Sequence, residues 1–121
     1  MMVELLFALV LLAIGVLAVA QLFPAGSRAQ NRNRMLSTGN NYAQDKLEEL
    51  RSLDWDDGTL TAGRHPAGSA TESLGETGAW LRYYQVTQMT APMDNLKKIS
   101  VTVRWTTTRT DSVTATTYVR R

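Results

Sequence analysis

At 121 residues the chain has room for one small domain. Its net charge is only +2, its basic residues are scattered, and no basic stripe interleaved with aromatics points to nucleic acid. The absence of cysteine excludes disulfides, thiolate nucleophiles and Cys-based zinc sites, and a single histidine, His65, leaves little for metal or His-base chemistry, so neither a metal nor a cofactor is expected.

The hydrophobic residues, 44% of the chain, are unevenly spread. Leu5 to Ala20 is an unbroken apolar run, extended by Met1 to Val3 and by Gln21 to Phe23, whereas the remainder is rich in Thr, Ser and Gly. A helix needs roughly 20 apolar residues to cross a bilayer. Each large apolar residue favours insertion by about 0.3–0.6 kcal/mol, and Gly15 suits a membrane helix.

Three readings compete for this run. Ala18-Val19-Ala20 matches the A-x-A site of a cleaved signal peptide, but Glu4 stands where a signal peptide carries Lys or Arg. A plain single-span anchor is the second. All 13 basic residues follow Phe23, with Arg28, Arg32 and Arg34 close behind it, so the positive-inside rule would keep the following domain in the cytoplasm unless a basic segment precedes Met1. A plain anchor also leaves Glu4 without a role, and a carboxylate at membrane depth marks a functional site by default. The third reading pairs Glu4 with the α-amine of a neighbouring subunit in a stack of identical helices, which fixes the axial register. Breaking such a shielded pair costs about 3–5 kcal/mol.

The stretch Met2-Val3-Glu4-Leu5-Leu6-Phe7-Ala8-Leu9-Val10-Leu11-Leu12-Ala13-Ile14-Gly15-Val16-Leu17-Ala18 resembles the N-terminus of type IV pilin-like proteins. Ala8-Leu9, with Leu12-Ala13-Ile14-Gly15 after them, is especially similar to minor pilins of the V type and to the minor pseudopilin I of type II secretion. Tyr42-Ala43-Gln44-Asp45-Lys46-Leu47-Glu48-Glu49-Leu50-Arg51 resembles a further segment of these minor subunits, and Val101 to Trp105 and Ser112 to Arg120 resemble their last two strands. The resemblance implies that Glu4 is the family glutamate and that Leu5, Leu6, Phe7, Leu9, Leu12, Ile14 and Leu17 belong to a membrane and filament-core helix. It also implies a basic leader ending in Gly, cut by a prepilin peptidase that N-methylates the new amine. That leader and the usual first Phe are not in this sequence, and Glu4 falls one residue early; the expectation is that the sequence begins at an internal Met downstream of the true start.

Pro24 removes a helix hydrogen bond and is expected to kink or interrupt the helix. From Ser27 to Leu53 the pattern is again helical, and Leu36, Ala43, Leu47 and Leu50 form one apolar face. Gly39, followed by Asn40 and Asn41, is the weak point of this half. One helix from Met1 to Leu53 is about 80 Å long, which suits a filament spine. Asp54-Trp55-Asp56-Asp57-Gly58 invites a calcium reading, but the EF-hand spacing is absent and a solvated acidic turn fits better. Gly63, Pro66, Gly68, Gly75 and Gly78 make Asp54 to Gly78 a long loop, with His65 exposed in it.

Three strand signals follow, at Ala79 to Thr90, Lys98 to Thr107 and Ser112 to Arg120. Ile99, Val101, Val103 and Trp105 alternate with polar residues, as do Val113, Ala115, Thr117 and Val119, which means one buried and one wet face. The expected fold is α+β: a long N-terminal helix, half transmembrane and half amphipathic, packed on a small antiparallel sheet of three to four strands. Residues 1–26 form the membrane and assembly helix and 27–121 the helix–sheet domain. Leu36, Ala43, Leu47, Leu50, Ile99, Val101, Val103, Trp105 and Val113 make its core.

No Gly-x-Ser-x-Gly, Walker loop or His-Glu-x-x-His motif is present, and no enzymatic activity is expected. The resemblance implies a structural minor subunit of a type IV pilus. Its partners would be other pilin or pseudopilin subunits, an inner-membrane assembly platform, prepilin peptidase and membrane lipid. It would span the bacterial inner membrane once, with its soluble domain in the periplasm or outside, and enter a filament on assembly. A minor pseudopilin of type II secretion and an anchored or secreted ligand-binding module are the alternatives.

Overall fold

A computed structural model describes all 121 residues. The chain is α+β: helix α1 (Met2–Arg51), a short 3-10 helix (Gly58–Leu60), and strands β1 (Gly63–His65), β2 (Glu72–Leu74), β3 (Trp80–Gln88), β4 (Leu96–Thr106) and β5 (Thr110–Arg120). It divides into two compact units, Met1–Met35 and Leu36–Arg121.

Helix α1 continues through Pro24, so the interruption considered from sequence does not occur. Proline forfeits one backbone donor, and the turns on either side retain theirs. At its other end Arg51 lies in the last turn, where a cation complements the helix dipole. The Ser52 amide donates to the carbonyls of Glu48 and Glu49, its hydroxyl donates to Glu49 O at 2.7 Å, and the Leu53 amide donates to Leu50 O, so three of the terminal carbonyls are satisfied.

In the second unit the sheet is antiparallel throughout, in the order β1-β3-β4-β5, with β2 pairing the same edge of β3 as β1. There are five strands rather than three or four. The additional ones come from the segment read as a loop: β1 pairs with Tyr84–Val86 and β2 with Trp80–Arg82. Each is three residues long, too short to show a period of two, and each is held by the backbone groups that β3 would otherwise leave unpaired.

Alternation sets the faces of the long strands. Ile99, Val101, Val103 and Trp105 of β4 are buried, as are Tyr84 and Val86 of β3, and Val113, Ala115 and Val119 of β5 are half-buried beside them. Ala43, Leu47 and Leu50 of α1 enter the same core, and Leu60 of the 3-10 helix caps it. Leu36 is half-buried. The opposite face carries hydroxyl pairs: Ser100 with Thr116 at 3.2 Å, Thr102 with Thr114 at 3.1 Å and Thr106 with Thr110 at 3.1 Å. Beyond β5 the sheet stops. Arg121 N–H donates to Asn95 O, which makes the odd-numbered residues of β5 face β4. The even-numbered ones, Ser112 through Tyr118, therefore turn their N–H and C=O to the free edge.

Gly39, which looks like a local defect of the helix, is buried. A Cβ there would lie 2.9 Å from Trp105 Cζ3, 3.2 Å from Val113 Cγ1 and 3.3 Å from Trp80 Cζ3. Glycine thus lets the helix backbone meet the edges of two indole rings, themselves 4.9 Å apart between centroids. Two buried cations complete the packing. Arg82 donates from Nε to Glu72 at 2.9 Å and from Nη1 to the Tyr42 carbonyl at 3.0 Å, joining the short strand β2 to the helix. Lys97 donates to Trp55 O at 2.7 Å and lies 4.4 Å from the Trp55 ring centroid.

His65 is not an exposed loop residue. It is half-buried in β1, stacked on Tyr84 at 4.9 Å, with Nε2 2.8 Å from Thr61 O. Burial, and next the nearby Glu49 charge, raises the Tyr84 pKa above its ordinary value of 10.0. Its hydroxyl donates to Thr59 O at 2.8 Å.

Two outcomes follow for the full chain in detergent micelles. Gly39→Ala gains about 1 kcal/mol of helix propensity but overpacks Trp105 at a cost of about 1–3 kcal/mol. Its denaturant midpoint is expected to fall, and Gly39→Leu is expected to fall further; a rise for Gly39→Ala would show that the indoles yield. For Tyr84, the unfolded side chain ionises near pH 10 while the folded one stays protonated to higher pH. The unfolded state then binds fewer protons, so stability drops as pH rises above about 10. Tyr84→Phe is expected to cost about 0.5–1.5 kcal/mol at neutral pH and to show a shallower alkaline decline than the parent chain in parallel melts.

Candidate functional site

The first unit has one carboxylate and a long apolar surface. Glu4 lies in the first turn of α1, where the positive end of the helix dipole favours an acid. The turn is closed by Leu5 N–H donating to Met1 O at 3.3 Å. Glu4 is exposed and takes no part in the ion pairs of Lys46 with Glu49, Arg82 with Glu72, and Arg109 with Asp111. The carboxylate is thus available to a group outside the chain.

After Glu4 the helix is apolar on all sides. Leu5, Leu6, Phe7, Leu9, Leu12, Ile14 and Leu17 each expose more than half of their surface, from 54% at Leu9 to 69% at Phe7. Val16, Val19, Leu22 and Phe23 are exposed as well. The most apolar window has a mean hydropathy of 2.8, and none of it is buried within the protein. Length and composition therefore make this helix able to cross a membrane. An α-helix that is hydrophobic all round needs an apolar surrounding, supplied by lipid or by other protein. A Cβ at Gly15 would have no neighbour within 4 Å, so the helix backbone is open to close approach there.

Of the core residues named from sequence, Ala43, Leu47, Leu50, Ile99, Val101 and Val103 join in the core of the second unit, with Val113 packed against it; Trp105 is buried, and Leu36 is half-buried. That unit also contains residues the apolar pattern missed. Arg82 and Lys97 are polar residues in the inward phase of β3 and β4, a signal that alternation did carry. Leu60 lies outside any periodic pattern, whereas Gly39, three residues after Leu36 and four before Ala43, stands in phase with the apolar stripe.

Nor does the acidic segment build a metal centre. No group of three His, Cys, Asp or Glu side chains is placed to hold a metal ion. Asp57 instead caps the 3-10 helix, accepting from Thr59 N at 2.9 Å and from the Thr59 hydroxyl at 2.7 Å. The backbone hydrogen bond from Thr59 lowers the Asp57 pKa below the ordinary 3.8.

Comparison with family models, with curated proteins and with solved structures finds no match to this chain.

The apolar helix makes its own prediction. Leu12→Arg places a charge in mid-helix and is expected to weaken bilayer insertion by about 2.5–3.5 kcal/mol. Alkaline carbonate washing of membranes from expressing cells should then release part of the variant but none of the parent chain.

Proposed function

We propose that the chain is a minor structural subunit of a type IV pilus, held in the inner membrane by its N-terminal helix and carried by that helix into a filament that it helps initiate or cap. The observation that supports this best is the pairing of two features on one helix. An apolar surface exposed on every side from Leu5 to Phe23 needs apolar neighbours, and the carboxylate of Glu4 beside it has no partner in the chain.

In the proposed assembly, neighbouring helices replace lipid around the apolar surface at little net cost. The amine that begins a neighbouring subunit supplies the counter-charge to Glu4. Register then follows from electrostatics: any axial slip separates the pair and leaves an acid uncompensated in apolar surroundings. The sequence resemblance to pilin-like proteins adds the leader cleavage that would create such an amine. The helix–sheet unit, with its small core and polar outer face, is the part that neighbouring subunits would meet.

Substitution of Glu4 tests the reading. With Glu4→Gln or Glu4→Leu in cells, the amount in sheared filaments is expected to fall more than about 100-fold, as loss of about 3 kcal/mol implies, while the membrane-bound amount is unchanged. Undiminished incorporation would overturn the proposal and favour an anchored binding module.

A further inference from the structure

From Leu5 to Gln44 the sequence contains no Asp or Glu, and its only charges are Arg28, Arg32 and Arg34. Arg28 and Arg32 are four apart on α1 and so lie on one face; Arg34 lies on another. Arg28 and Arg32 are exposed, and neither takes part in the ion pairs described above. Their neighbours Ala25, Gly26, Ser27, Ala29, Gln30 and Asn31 are small or uncharged.

Their distance from the apolar surface is informative. At about 1.5 Å per residue, Arg28 is about 7.5 Å beyond Phe23 and Arg32 about 13.5 Å. The headgroup layer on each side of a bilayer is about 5–7 Å deep. Side chains on a helix tilt toward its N-terminus, here toward the apolar run, and long basic side chains reach back along a helix to place their charge at an interface. The Arg28 guanidinium can therefore enter the headgroup layer, and the Arg32 guanidinium can reach back to its outer edge. A guanidinium presents a planar fork of donors that matches a phosphate.

We propose that Arg28 and Arg32 form a binding surface for the phosphate groups of anionic phospholipids, which holds the chain at a fixed depth in the membrane before assembly. The inference rests on the reading of the preceding run as membrane-spanning. Its occupant is selected by charge: two adjacent cations outside the chain's ion pairs, no competing carboxylate on that stretch of helix, and a position within reach of the headgroups.

The test uses the purified full chain, reconstituted into phosphatidylcholine vesicles with and without phosphatidylglycerol. Flotation with both vesicle types establishes insertion, and native mass spectrometry of the chain released into mixed micelles reads the lipid retained. The parent chain is expected to prefer phosphatidylglycerol to phosphatidylcholine by about fivefold per arginine. The preference should shrink with added salt, approach unity in R28Q/R32Q, fall between the parent value and unity in R28K/R32K, where the charge stays but the fork is lost, and persist in Arg104→Gln. A preference of unity in the parent chain, or an unaltered one in R28Q/R32Q, overturns the proposal and leaves the spanning reading intact. Self-association of the chain that R28Q/R32Q abolishes, without lipid preference, also overturns it and assigns the arginines to a second copy. Failure to float with either vesicle overturns the spanning reading and this proposal with it.

Discussion

The helix–sheet unit depends on how closely α1 can approach β4. At Gly39 the helix has no side chain, and the edge of Trp105 fills the space where one would be. Trp80 packs beside Trp105, and Tyr42 packs on Trp80 at 5.6 Å. Below this contact Ala43, Leu47 and Leu50 meet Ile99, Val101 and Val103 in a core that only a small residue at the crossing allows to close. So small a domain has little surplus burial. The unit compensates with polar ties between elements distant in sequence. Arg82 fastens a strand of three residues to the helix, and Lys97 holds the segment after the helix through Trp55 O.

The same helix meets two different demands. Within Leu36–Arg121 it shows one apolar face to the sheet and polar residues elsewhere. From Leu5 to Phe23, within Met1–Met35, it shows apolar residues in every direction, and its backbone bonds are internal. That difference, and not any pocket or cluster of reactive groups, is the most informative functional feature of the chain. Glu4 gains its interest from the contrast: an acid otherwise unremarkable in a first turn is placed at the end of a surface with no use for charge.

The sequence made some parts legible and hid others for physical reasons. Alternation in Ile99, Val101, Val103 and Trp105 carried both the strand and its buried face, because a period of two over that length has no helical counterpart. The stripe of Ala43, Leu47 and Leu50 did the same for the helix. A fourth strand was expected from the loop, but the positions and number of β1 and β2 could not be read, since their order comes from the edge of β3 and not from their own residues. Gly39 was read as a weakness because helix propensity registers only the local cost of glycine and not the ring that takes its place. The inward positions of Arg82 and Lys97 could have been seen, but the partners that make them tolerable, Glu72, the Tyr42 carbonyl and the Trp55 carbonyl, lie far off in sequence. Of the candidate site, the acid and its apolar neighbours were plain from sequence; the lack of any intramolecular counter-charge required coordinates.

Strand β5 leaves a further problem of solubility. Eleven residues long and free of proline, it ends the sheet with a row of amides and carbonyls that only water satisfies. Natural sheets blunt such borders with bulges, prolines or inward charges; here Asp111 near one end and Arg120 at the other are the only charges along the strand. These groups form a template on which an extended strand of another chain would pair. The border of β5 is thus where the helix–sheet unit would grow by one strand on meeting a partner.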